Sequence, residues 1–273
     1  MNHDQCLNPQ GECARALRQS AQLPAGLAVY LRIICACLAM GYAAQVRAAA
    51  AEERLYVHPS LHKTGHYQIM PPSGTGPAGV MVFFHGSGAG SAYAAQMELL
   101  AGAAKAYNLA VVALEAPDHA VSWAADLPRI GALNTEYVRD LLATTVFGPH
   151  PSWSSERTVF VGYSAGSTFL SGDFLPDAVE HFRGGAVLLC GGGMPLNSTK
   201  QNTAPLGASV RQHFKMYYVI QTGDFLFNQA TAGFNLWKSR GLKVAGESPA
   251  GGSHCGFDLG KALRDGLRYV FSS

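Results

Sequence analysis

The run Arg157-Thr158-Val159-Phe160-Val161 leads without a break into Gly162-Tyr163-Ser164-Ala165-Gly166. A β-branched and aromatic run reads as a buried strand. A serine spaced between glycines directly after it reads as a sharp strand-to-helix turn. At such a turn the serine backbone is strained, and its neighbours must be small for the chain to pass. The turn lifts the Ser164 hydroxyl out of the sheet, and the following helix aims the Ala165 amide at the same space. Taken alone, the spacing also fits a glycine-bounded turn with an ordinary serine. The decision therefore rests on what else reaches that turn.

The other apolar runs repeat the pattern. Gly79 to Phe84, Leu109 to Leu114, Gly185 to Cys190 and Phe214 to Gln221 are short continuous apolar stretches. They suit strands buried on both faces. Helical spacing lies between them, over Tyr93–Tyr107, Ile130–Thr145, Asn228–Ser239 and Phe257–Phe271, with a further short helix from Ala165 towards Phe174. Arg54–Val57 and His66–Met70 read as an antiparallel edge, and Leu242–Gly246 as a last short strand. Residues Met194 to Ser209 read as loop. Alternating strands and helices predict an α/β fold, a mostly parallel sheet with helices on both faces. In such sheets the site lies beyond the carboxyl ends of the strands. His85, Ser164, Cys190, Asp224 and His254 all fall at or just after strand ends.

The formal net charge of +2 is small, and the basic residues are scattered, which argues against a nucleic-acid surface. Residues 1–50 differ in kind. Arg15, Arg18 and Arg32 precede or interrupt the apolar Ile33–Ala44, and the alanine-rich Ala48–Ala51 follows. That order predicts a secretory signal peptide over residues 1–50, cleaved near Ala48 or Ala50. Read instead as a membrane anchor, the segment would bury Arg32 at a cost of about 2.5–3.5 kcal/mol. Cleavage leaves one domain over residues 51–273, exported to the periplasm or beyond, with no stable membrane association. Cys6, Cys13, Cys35 and Cys37 would depart with the signal, leaving Cys190 and Cys255 in an oxidising compartment.

A serine hydroxyl needs a base within hydrogen-bond reach, and that base needs an orienting acceptor. The chain order Ser164, Asp224, His254 is the order of a strand-elbow serine hydrolase. Each alone has a plainer reading: Asp224 as a turn former, His254 as a structural or surface histidine. The three in order at three strand ends point to a nucleophile, its orienting acid and its base. Donors for a developing oxyanion are expected from the backbone N–H groups of Ala165 and Ser87, the latter in the glycine-rich loop His85-Gly86-Ser87-Gly88. That loop lacks the Gly-Lys-Ser/Thr of a phosphate cradle, so a nucleotide site is excluded.

The features Phe84-His85-Gly86-Ser87-Gly88, Gly162-Tyr163-Ser164-Ala165-Gly166 and Gly223-Asp224, with the late His254, resemble the α/β-hydrolase superfamily from about Glu52 to the end. Within it the chain resembles the exported polyhydroxybutyrate depolymerase-like and feruloyl esterase-like group. The resemblance implies a sheet of about eight strands and ester hydrolysis through an acyl-serine, with no metal or organic cofactor. Some tannase and feruloyl-esterase relatives carry a cysteine directly before the serine, bridged to one directly after the histidine. Here His254-Cys255 is present but position 163 is Tyr163. Cys190 is the candidate substitute partner, and two buried free thiols are the alternative.

The expected substrate is a small or oligomeric ester. Only about twenty residues separate Gly193 from Phe214, too few for a bulky lid. Trp123, Tyr163 and Phe225 are candidates for the pocket wall, with Phe227 nearby, and ordinary packing is the alternative for each. A serine peptidase or thioesterase would use the same triad. A non-catalytic binding protein on this scaffold would have no need of both Ser164 and His254.

Overall fold

The computed structural model describes residues 51–88, 93–123, 128–193 and 206–272. The expected signal segment and most of the expected loop over 194–209 lie outside the described residues. One eight-stranded sheet organises the rest, in the order β1-β2-β4-β3-β5-β6-β7-β8. Its strands are β1 (Glu52–Val57), β2 (Thr64–Met70), β3 (Ala78–Phe84), β4 (Leu109–Leu114), β5 (Trp153–Tyr163), β6 (Gly185–Leu189), β7 (Lys215–Val219) and β8 (Lys243–Glu247). β2 runs antiparallel to β1 and β4, and every other pairing is parallel.

Strand alternation divides the core into two layers. Val80, Val82 and Phe84 of β3 face one cluster, while Met81 and Phe83 face the other. Since β3 is buried along its whole length, its period of two is hidden in the sequence as a continuous apolar run. The first layer is covered by α2 (Pro128–Leu141), α3 (Ala165–Phe169) with the wider turn that follows it, α4 (Leu175–Ala178), and, through Trp237, the later helix α6 (Phe227–Ser239). The second is covered by α1 (Met97–Ala104) and α7 (Leu259–Phe271). α7 begins where Asp258 accepts a hydrogen bond from the Lys261 amide at 2.9 Å, and it buries Leu263, Leu267 and Val270.

The strand order reverses direction at β3. The chain goes from β3 to β4 on one side and then returns to β5 on the other, which opens a crevice at the carboxyl ends of β3 and β5. Two segments differ from the sequence expectation. A short helix, α5 (Ala208–His213), begins at the end of the stretch expected to be loop and runs up to the next strand. It buries only Val210, so it is too short to leave an apolar periodicity. β5 has 11 residues, because it reaches back to Trp153, which pairs with Ala78 before a shift in register.

Candidate active site

The crevice is occupied by the turn between β5 and α3. Ser164 has φ 50° and ψ −115°, outside the regions that L-residues ordinarily adopt. The conformation is held from both sides: the Ser164 amide donates to Leu189 O at 2.8 Å, and its carbonyl accepts from the Thr168 amide at 3.1 Å. There is no room for larger neighbours. A Cβ on Gly166 would lie 2.1 Å from Phe84 O, and one on Gly162 would lie 2.5 Å from Ser167 Cα. The two glycines thus allow α3 to pack directly on the ends of β3 and β5.

Ser164 Oγ lies 2.7 Å from His254 Nε2. The other ring nitrogen, Nδ1, stands 2.9 and 3.0 Å from the two oxygens of Asp224. Asp224 is buried and follows β7. Its Oδ1 also accepts from the Leu226 amide at 2.9 Å, and its Oδ2 from the Cys255 amide at 3.3 Å. Those donors compensate a carboxylate held away from water. With Nδ1–H donated to Asp224, Nε2 is left as the acceptor facing the serine hydroxyl.

His254 sits on an exposed loop between β8 and α7, tied to the sheet at several points. Gly223 N donates to Gly251 O at 2.8 Å, and Gln221 Nε2 donates to Gly256 O at 2.9 Å. The disulfide Cys190–Cys255, with Cα atoms 5.1 Å apart, joins this loop to the end of β6. Both half-cystines have positive φ, 46° and 58°. Gln221 and Ser167 are positioning residues that the sequence did not announce. Ser167 Oγ donates to Leu189 O and accepts from Leu189 N, at 2.9 and 3.0 Å, locking α3 to β6. Neither belongs to a motif, so neither left a signal.

Ser87 lies in the loop after β3, and its hydroxyl donates to Ser122 Oγ at 2.9 Å. That loop abuts the elbow: a Cβ on Gly86 would meet Ser164 Cβ at 3.1 Å. Ala165 opens α3 directly after the serine. Phe225 is 77% exposed, and its ring centroid lies 4.6 Å from that of His254. Tyr163 is half-buried and packs on the second core layer, and burial raises the pKa of its phenol. Trp123 does not line the crevice. It is fully buried, stacked on Phe169 at 4.9 Å and edge-on to Phe84 at 5.1 Å. A large ring following a strand end is drawn into the first core layer, where it removes more apolar surface from water than a rim position would. Phe227 begins α6.

His85 is buried beneath the Ser87 loop. Its Nδ1 lies 2.5 Å from Gly86 O, and its Nε2 accepts from the Ala116 amide at 3.1 Å. Burial holds its pKa below the usual histidine value. A separate cavity of about 910 Å³, lined by His58, Glu136, Asp140 and His181 among others, contains none of these residues. The serine site lies apart from that cavity.

No protein-family model matches the chain, and no curated protein matches it in sequence. Solved structures match it in shape. A carboxylesterase of Bacillus cereus superimposes with a TM-score of 0.57 at 12% identity, over 85% of this chain and 97% of its own. The fluorophosphonate-binding serine hydrolase F of Staphylococcus aureus gives 0.58 at 14% identity, over 82% and 99%. A ferulic acid esterase gives 0.53 at 13% identity, over 81% and 97%. At these identities the likeness is one of fold.

Proposed function

We propose that this chain, which has the α/β-hydrolase fold, is an exported serine hydrolase that cleaves carboxylic esters through an acyl-serine. The observation that carries this reading is the continuous contact Ser164 Oγ–His254 Nε2–Asp224, at 2.7 Å and 2.9 Å. His254 Nε2 takes the serine proton as Ser164 Oγ attacks the ester carbonyl. Asp224 keeps Nδ1 protonated and stabilises the imidazolium that forms. The Ser87 and Ala165 amides hold the oxyanion. The alcohol leaves with the proton from His254, and water releases the acid by the same steps.

Short-chain or polyester-derived esters are the proposed substrates, in keeping with the polyhydroxybutyrate depolymerase-like and feruloyl esterase-like resemblance. The exposed Phe225 ring beside His254 supports an apolar acyl or aryl group at the rim. Export rests on the basic and then apolar segment before residue 51. The Cys190–Cys255 bridge supports it, since disulfides persist in oxidising compartments.

The test is hydrolysis of p-nitrophenyl acetate, butyrate and octanoate by wild type and two variants. Ser164→Ala is expected to lower kcat by about a millionfold, and Asp224→Asn by about ten thousandfold with KM little changed. Wild-type activity is expected to fall from acetate to octanoate. Equal activity in wild type and Ser164→Ala, both folded, would overturn the mechanism.

A further inference from the structure

Away from Ser164, on the far side of β3, three side chains on separate segments converge. His66 is on β2, Glu115 directly follows β4, and His119 lies in the next turn. Their ring nitrogens and carboxylate oxygens all lie within 4.8 Å of one another. His66 Nδ1 is 3.0 Å from Glu115 Oε2, and His119 Nδ1 is 3.1 Å from each Glu115 oxygen. Glu115 is 3% exposed, whereas both imidazoles reach solvent. A buried anion therefore lies beneath two rings that open outward.

We propose that His66, Glu115 and His119 form a site for a divalent transition metal of the zinc class. The ligands are the two Nδ1 atoms and a Glu115 oxygen, with solvent completing the coordination. The donor set is one that zinc takes, and it leaves an open position. Two ligands of a tetrahedral zinc, each about 2.0–2.1 Å from the ion, stand about 3.3 Å apart. The nitrogen–oxygen separations here, 3.0 and 3.1 Å, are close to that, and all three donor atoms lie within 4.8 Å of one another. The carboxylate is already aimed, because Glu115 Oε2 accepts from the His66 amide at 2.7 Å. Fixed outer contacts of this kind orient metal ligands.

The surrounding charge suits a cation. Glu53 lies near enough to interact electrostatically with His66 and Glu115. The nearby Lys63 is already paired with Asp118, 2.7 Å away. The same three groups hold one another by hydrogen bonds when each Nδ1 is protonated, so protons and metal compete for the same atoms. The other grouping of this type, Cys190, His254 and Cys255, has its sulfurs committed to the disulfide.

The site would act on the catalytic rim through the chain. The turn that bears His119 continues to Val121, whose carbonyl accepts from Gly88 N at 2.8 Å, and to Ser122, which meets Ser87 at 2.9 Å. A metal joining that turn to β2 would stiffen the loop proposed to hold the oxyanion. Metal binding itself is independent of the esterase reading and is tested separately.

The experiment uses protein stripped with chelator and dialysed, then titrated with Zn²⁺ by calorimetry and with Co²⁺ by visible absorption. Wild type is expected to bind Zn²⁺ saturably, with a rise in Tm, and to show visible Co²⁺ bands. His119→Ala is expected to bind Zn²⁺ at least about a hundredfold more weakly, beyond the loss typical of outer-sphere contacts, and to lose the bands. His254→Ala is expected to keep both. The His119 side chain is solvent-exposed, so this variant folds, and its metal-free circular dichroism provides the check. No saturable Zn²⁺ uptake by wild type would overturn the proposal. So would uptake unchanged in His119→Ala and His66→Ala, or uptake abolished by His254→Ala alone. Loss of esterase activity in Ser164→Ala with Zn²⁺ binding intact would separate this site from the proposed catalytic one.

Discussion

The serine and the histidine that meets it are held in opposite ways. Ser164 sits on a turn closed in by main chain: Phe84 O and Ser167 Cα leave its glycine neighbours no space, and Leu189 O holds its amide. His254 sits on a loop whose residues 251–254 are all exposed. Among the described residues its position depends largely on discrete tethers, among them Asp224, Gln221, Gly223 and the Cys190–Cys255 bridge. Close packing fixes an atom by making displacement costly in every direction. Tethers fix it only along their own lines, and each can be removed singly. The two halves of the proposed catalytic contact should therefore fail differently.

The sharpest way to break the buried half is Gly166→Ala. The new methyl would meet two main-chain oxygens, Phe84 O at 2.1 Å and His85 O at 2.6 Å, and neither can rotate away. We expect a stability loss of about 4 kcal/mol or more, at the top of the range for point substitutions, read as a urea midpoint shift or as failure to accumulate folded protein. A Gly166→Ala variant with wild-type stability would show that the elbow is looser than its packing.

The tethered half should lose less stability. Replacing Cys190 and Cys255 together by Ala opens a link between residues 65 apart in sequence. A loss of about 2–4 kcal/mol is expected. The informative readout is the division of kinetic effects. With the loop freed, kcat should fall while the surviving protein keeps its fold by circular dichroism. Unchanged kcat would mean that Asp224 and Gln221 suffice to place the imidazole.

The buried half also has a pH signature. The neutral form of His85 satisfies both neighbours, with Nδ1–H facing Gly86 O and Nε2 accepting from Ala116 N. A second ring proton would confront the Ala116 N–H. Its folded pKa is lowered from 6.5, chiefly by burial, so below that pH the unfolded chain takes up the proton first. The stability that neutral His85 contributes is complete above about pH 6.5 and declines as pH falls through the folded value. Urea midpoints at pH 7.5 and 5.5 should differ more in wild type than in His85→Gln, whose amide oxygen can still accept from Ala116 N. Equal differences would remove His85 from the account.

The same contrast explains what could be read in the sequence. Strand ends were legible because buried strands are short apolar runs with abrupt polar or glycine ends. Leu109–Leu114 coincides with β4, and Ser164, Asp224 and His254 could be placed on one rim before any distance was known. Trp123 was misplaced because a residue in the loop after β4 can turn inward or outward with no change in local pattern. His66, Glu115 and His119 were invisible for a different reason. Their meeting depends on the antiparallel register that sets Tyr67 opposite Leu114, and pairing register leaves no local mark. α5 was missed because a single buried valine carries no period.

The smallest effect should come from an exposed ring beside the tethered half. Phe225 is 77% exposed, and its ring lies beside the imidazole. Removing so exposed a ring should change stability by no more than about 0.5 kcal/mol. If Phe225 forms a wall for the acyl or aryl group, Phe225→Ala should raise KM for p-nitrophenyl butyrate and leave kcat nearly unchanged, the pattern of lost binding shared by ground and transition states. If the ring instead braces His254, kcat should fall with KM constant, and Phe225 would join Gln221 and the disulfide as a tether. A wall can be replaced by Leu with KM restored, whereas a ring-on-ring brace cannot, so Phe225→Leu decides between the two.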